Sequence, residues 1–179
     1  MNEEALGAVT LDVRSLEPFA SFRSAVLDAI VEAASVMLSK FRQAPPSPGA
    51  WTHDGVSREV SILWNSPTQD LLMAHANEKD ATEDGAYAIA IALADRLGFQ
   101  VVGRVHQGSG ADWLLIPKAG PENDCYKLEV SGMARIGKEK PEARLRLKLE
   151  QGRGGDYNRP GIAVVVRFED AMLLSEAWR

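Results

Sequence analysis

Cysteine is almost absent from this 179-residue chain: Cys125 stands alone, so no internal disulfide can form. Long apolar runs are missing too. The longest, AIAIALA at 88–94, is far shorter than the about 20 residues a membrane-spanning helix needs, so no membrane partner is expected. The opening MNEEALG lacks the basic and then apolar segment of a secretory leader. Together these absences point to a cytoplasmic, reducing environment. Histidine is scarce, and His53, His75 and His106 have no metal-ligand spacing. GRGGDYNRPG at 152–161 lacks the Gly-Lys-Ser/Thr of a P-loop, and GSGADW at 108–113 lacks the third glycine of a dinucleotide fingerprint. Ser131 does not stand in a G-x-S-x-G frame. The familiar zinc, nucleotide and serine-hydrolase motifs are therefore all missing.

What is present is an ordinary globular composition, 45% hydrophobic and long enough for one domain with a sizeable core. The net charge of −5 argues mildly against a nucleic-acid binder, but the charge is unevenly spread. Residues 127–159 hold nine Lys and Arg against five Asp and Glu, while the rest of the chain holds eleven against twenty. Such asymmetry marks either one basic face on an acidic body or a solvated helix with its flanking loops.

Along the chain, GAVTLDV at 7–13 reads as a short strand. A long helix is predicted from about Leu16 to Gln43, because Phe19, Phe22, Val26, Ile30, Met37 and Phe41 recur at helical spacing. APPSPG at 44–49 then breaks the chain. This gives an expected N-terminal helical arm at 1–49 and a main α/β body at 50–179, together one compact domain, the arm packing on the sheet or on a second copy of the chain. VSREVSILW at 56–64 reads as a strand, and helices are expected from 67 to 77 and from about 80 to 97. Strands are expected at 99–105, 112–117, 125–131 and 161–168, with a short helix ending the chain.

ARLRLKLE at 143–150 is ambiguous: it alternates as a strand does. Pro141 and Gly152 suit the two ends of a helix, and the residues between are strong helix formers. Helix is the preferred reading, which sets Arg144, Lys148 and Gln151 on one stripe.

KLEVSG at 127–132 carries the sharpest question. Side chains alternate along a strand, so Lys127, Glu129 and Ser131 share one face while Tyr126, Leu128 and Val130 share the other. An unpaired buried carboxylate is costly, so Glu129 must be paired, metal-bound or exposed.

The predicted order from residue 82 is helix, strand, strand, strand, helix, strand. Asp112 begins the second of these strands and Glu129 lies inside the third. That arrangement resembles the restriction-endonuclease-like superfamily with its PD-(D/E)xK motif, over about residues 80–168. GSGADWLL, KLEVSG and R-x-x-x-K-x-x-Q also resemble small uncharacterised bacterial proteins with G-x-G-x-D-[YW] and LEVSG motifs. The superfamily resemblance implies a mixed central sheet flanked by helices, and Mg²⁺ held by Asp112 and Glu129, with Glu83 or Asp84 adding a carboxylate. Two acids on adjacent strands suit magnesium, which takes one or two carboxylates with several waters. Ser131 occupies the place of the family's lysine. The cation would then come from Lys127 or Lys148, with Arg144, Lys148 and Gln151 contacting nucleic acid. Two functions are expected. One is a metal-dependent nuclease or nuclease-like subunit acting on DNA, in the manner of restriction and anti-phage systems. The other is an inactive accessory protein of the same fold that binds nucleic acid or a protein partner. A third alternative is a plain dimeric interaction protein.

Overall fold

The computed structural model describes residues 8–14, 16–17, 24–41, 44–105, 110–120, 124–154 and 159–179. The described residues form a mixed α/β fold with one eight-stranded sheet and four helices. In chain order the elements are β1 (Val9–Asp12), α1 (Ser24–Lys40), β2 (Ser47–His53), β3 (Val56–Leu63), α2 (Gln69–Ala74), α3 (Glu78–Arg96), β4 (Phe99–Arg104), β5 (Trp113–Pro117), β6 (Tyr126–Met133), α4 (Pro141–Gly154), β7 (Gly161–Arg167) and β8 (Met172–Trp178). The strand order is β1-β3-β2-β8-β7-β6-β5-β4. β4, β5 and β6 pair antiparallel, and β7 runs parallel to β6.

α3 holds the centre. Residues 85–94 are buried without interruption, so the helix is apolar on every side. α1 covers one flank, and the close approach needs small residues: a Cβ on Gly85 would stand 3.0 Å from the Ala34 backbone. The sheet curls around the opposite flank. Thr10 and Asp12 of β1 and Phe99 to Val101 of β4, from the two edge strands, line one hollow together with Ile91 of α3. Asn77 caps α3 by accepting from the Lys79 N–H. α4 packs on β6, β7 and β8.

The stretch expected as the N-terminal arm pairs and packs with the main body: β1 pairs with β3, α1 packs on α3, and the 49/50 boundary falls inside β2. Two expectations change. The described part of the N-terminal helix is α1, which rests chiefly on α3; its expected first turns, with Phe19 and Phe22, lie outside the described residues. Pro48 is tolerated in a strand because it lies at the end of β2 that β8 does not reach. The chain ends in β8, not a helix. MLLSEAW has helix-forming composition, but β8 lies between β7 and β2, and tertiary pairing overrides propensity.

The tryptophans serve the core. Trp51, Trp64 and Trp113 are buried. Trp178 is docked: its Nε1 donates to the Arg159 carbonyl at 3.0 Å, and its ring fills the space where Gly152 and Gly161 lack a Cβ.

Candidate cation site between β5, β6 and α4

β6 presents its polar face to α4, and each polar residue finds a partner there. The Lys127 amine donates to the Gly152 carbonyl at 3.0 Å. The Lys148 amine donates to Glu129 Oε2 at 2.7 Å. Arg144 donates to Ser131 Oγ at 3.0 Å and to the Gly132 carbonyl at 2.8 Å. Strand positions 127, 129 and 131 thus meet helix positions 152, 148 and 144. The match is geometric: two strand residues advance about 6.6 Å, and four helix residues advance about 6 Å. A helix running antiparallel to β6 therefore keeps step with every second strand residue.

The opposite face of β6 is dry. Leu128 and Val130 join the cluster around α3. Gly132 follows them because a Cβ there would stand 2.3 Å from the Thr82 carbonyl oxygen. This steric demand fixes how α3 crosses the strand.

Asp112 arrives from just before β5. Its Oδ2 accepts the Val130 N–H at 2.7 Å and lies 3.6 Å from the Lys148 amine. The side chain reaches across to β6 and α4. Asp112 and Glu129 therefore share one amine. Glu129 has a 5% exposed side chain, against 22% for both Asp112 and Lys148. Burial raises the Glu129 carboxyl above the ordinary glutamate range, and Asp112 pushes it further, while Lys148 opposes both. Burial pulls Lys148 down, but the two carboxylates outweigh it and hold the amine above its ordinary value.

A cleft of about 700 Å³ opens over this group, lined by Glu83, Tyr87, Asp112, Ser131, Arg144 and Lys148 among others. Of the residues singled out in the sequence, Asp112, Glu129 and Lys148 come together. Lys127 does not: it is 1% exposed, and its amine holds the C-terminal end of α4. Arg144 is committed to Ser131, Gly132 and Glu139, which ties down the loop between β6 and α4. Gln151 is exposed, because the ladder continues at Gly152 instead. Glu83 sits at the cleft, linked to Asp112 through the Tyr87 hydroxyl. Asp84 is half-buried, with its carboxyl raised by burial, and does not line the cleft.

Among the described residues, no three His, Cys, Asp or Glu side chains converge as a ready-made metal cage. The donor set nonetheless fits magnesium, which needs only one or two carboxylates and keeps several waters. Two carboxylates against one amine leave the group short of positive charge. Asp112 and Glu129 are the residues that would hold such an ion.

Reasoning from sequence overlooked Tyr87 and the Val130 N–H. Glu83 and Tyr87 stand four apart on a helix, a spacing that brings side chains together; that signal was available. The Val130 contact depends on strand register and was not. Compared with family models, with curated proteins and with solved structures, the chain matches none.

Proposed function

We propose that the chain is a metal-dependent phosphodiesterase, a nuclease or nuclease-like subunit acting on DNA, built on a restriction-endonuclease-like core. One observation carries this reading: a carboxylate just before β5 and a buried one within β6 meet a single lysine amine, and Asp112 and Lys148 line an open cleft. The order α3, β4, β5, β6, α4, β7 supports it, since that is the order the resemblance implies.

A divalent ion at Asp112 and Glu129 would supply an activated water and offset charge on the scissile phosphate. The protein's own contribution is position and charge. β5 and β6 fix the two carboxylates, and the Val130 N–H orients Asp112. Lys148 takes the place of the lysine that Ser131 does not provide, and its persistent positive charge suits a phosphate oxygen. Lys79 and Lys138 line the same cleft and make no ion pair among the described residues. They are available to a phosphate backbone, where Arg144 is not.

A second reading, a catalytically silent accessory subunit, draws on Ser131. Its hydroxyl carries no charge and is already held by Arg144, and Lys148 already satisfies the carboxylates.

The test is cleavage of circular and linear DNA with Mg²⁺ or Mn²⁺. Asp112→Ala and Glu129→Ala should abolish it, Ser131→Ala should matter little, and Ser131→Lys should raise it only if the site is degraded and Lys148 does not already supply the cation. A wild type that cleaves neither DNA nor RNA and takes up no divalent ion would leave the accessory reading in place of the enzyme.

A further inference from the structure

Among the described residues, Tyr87 is the one hydroxyl placed between two carboxylates of the cleft. Its phenol oxygen lies 2.9 Å from Glu83 Oε1 and 3.3 Å from Asp112 Oδ1. A phenol has one proton to donate, so these carboxylates share a single donor. Everything around the ring keeps it in place. It is 4% exposed, meets Trp113 edge-on at 5.6 Å between centroids, and has the Arg104 guanidinium 5.0 Å from its centroid. The same guanidinium lies 5.2 Å from the Trp113 ring, so one cation holds both aromatics.

Asp112 is consequently gripped at both oxygens, Oδ1 by Tyr87 from α3 and Oδ2 by the Val130 N–H from β6. We propose that Tyr87 is the positioning residue of the cation site, and that Glu83 acts on the site through Tyr87 and not as a ligand of its own. This rests on the cation reading of Asp112 and Glu129. Groups that hydrogen-bond a metal-binding side chain fix its orientation, and their loss typically weakens metal affinity about 10-fold or more. Glu83, the nearer acceptor at 2.9 Å against 3.3 Å, competes with Asp112 for the single phenol proton and so sets how firmly Tyr87 holds Asp112. Its own carboxylate lies behind the hydroxyl, in line with the lack of a three-acid cluster among the described residues.

The experiment is calorimetric titration of Mn²⁺ into the full chain, as wild type, Tyr87→Phe, Glu83→Gln and the double variant, with Glu129→Gln as reference. Tyr87→Phe keeps the ring contacts with Trp113 and Arg104, and thermal melting checks that it folds. The expected result is binding by the wild type that Glu129→Gln abolishes, about 10-fold weaker binding by Tyr87→Phe, and a smaller gain in Glu83→Gln, whose neutral amide competes less for the phenol proton. The double variant should bind as Tyr87→Phe does, because residues acting through one another are not additive. Unchanged or tighter binding in Tyr87→Phe overturns the role of Tyr87 while leaving the cation site standing. Any further change in the double variant beyond that of Tyr87→Phe overturns the indirect role of Glu83. A wild type that binds no Mn²⁺ overturns this inference and the cation reading together. Should Tyr87→Phe fail to fold, Glu83→Gln decides alone, since its carboxylate is exposed: unchanged affinity there overturns the proposal.

Discussion

The two faces of β6 are made of neighbouring residues and obey different rules. Leu128 and Val130 pack into the apolar cluster around α3, where any group of the right size and polarity serves. Lys127, Glu129 and Ser131, one step along, face α4, and each requires a particular partner at a particular height on that helix. The first face stabilises the fold. The second places buried charge where a simpler protein would place valine. Buried ion pairs are poor stabilisers compared with apolar replacements, so their presence on a single strand face, beneath a cleft, argues for a purpose other than stability.

The contrast can be broken most severely on the dry side. Leu128→Asp puts a carboxylate among the α3 contacts with no partner for it, and the variant should show no cooperative thermal transition by circular dichroism. A cooperative melt would mean that this face is more open than its burial implies. On the polar side, Lys148→Met leaves Glu129 and Asp112 facing one another. It should cost about 2–3 kcal/mol in urea unfolding, below the cost of breaking a fully buried pair because Lys148 keeps some exposure. Millimolar Mg²⁺ should recover part of that loss in the variant, since the ion supplies the missing positive charge. Equal urea midpoints with and without Mg²⁺ would count against a cation at this place.

The smallest effect concerns pH. The Glu129 carboxyl is raised in the folded state. A raised acid binds its proton more readily when folded, so its stabilising contribution is full in acid and is lost as pH rises through the folded value. Glutamine does not titrate. Wild type should therefore gain stability relative to Glu129→Gln as pH falls from neutrality toward the ordinary glutamate range. A constant difference in urea midpoint across that window would contradict the electrostatic account of the pair. Lys148 leaves this window undisturbed, because its raised value confines its loss to strongly alkaline pH.

Much of this was legible in the sequence, for identifiable reasons. The alternation in CYKLEVS assigned the faces of β6, and Pro141 and Gly152 resolved ARLRLKLE as a helix despite its strand-like pattern. With the helix in place, the four-residue spacing of Arg144 and Lys148 matched the two-residue spacing of Glu129 and Ser131. What stayed hidden depended on long-range packing. Nothing local to MLLSEAW reveals that two other strands will flank it. Nothing local to APPSPG reveals that a strand starts at Ser47, or that Gly49 must lack a side chain because a Cβ there would meet the Ala171 carbonyl at 2.1 Å. Lys127 and Lys148 looked interchangeable as cations. Only the helix register sends one amine to a backbone carbonyl and the other to the carboxylates.

The most direct test of the site itself is Mn²⁺ binding by the wild-type chain, measured beside Glu129→Gln. If the charge-rich face of β6 exists to hold a cation, one ion should bind per chain, and the variant should show no saturable binding. No heat of binding in the wild type, or the same isotherm in both proteins, would contradict it.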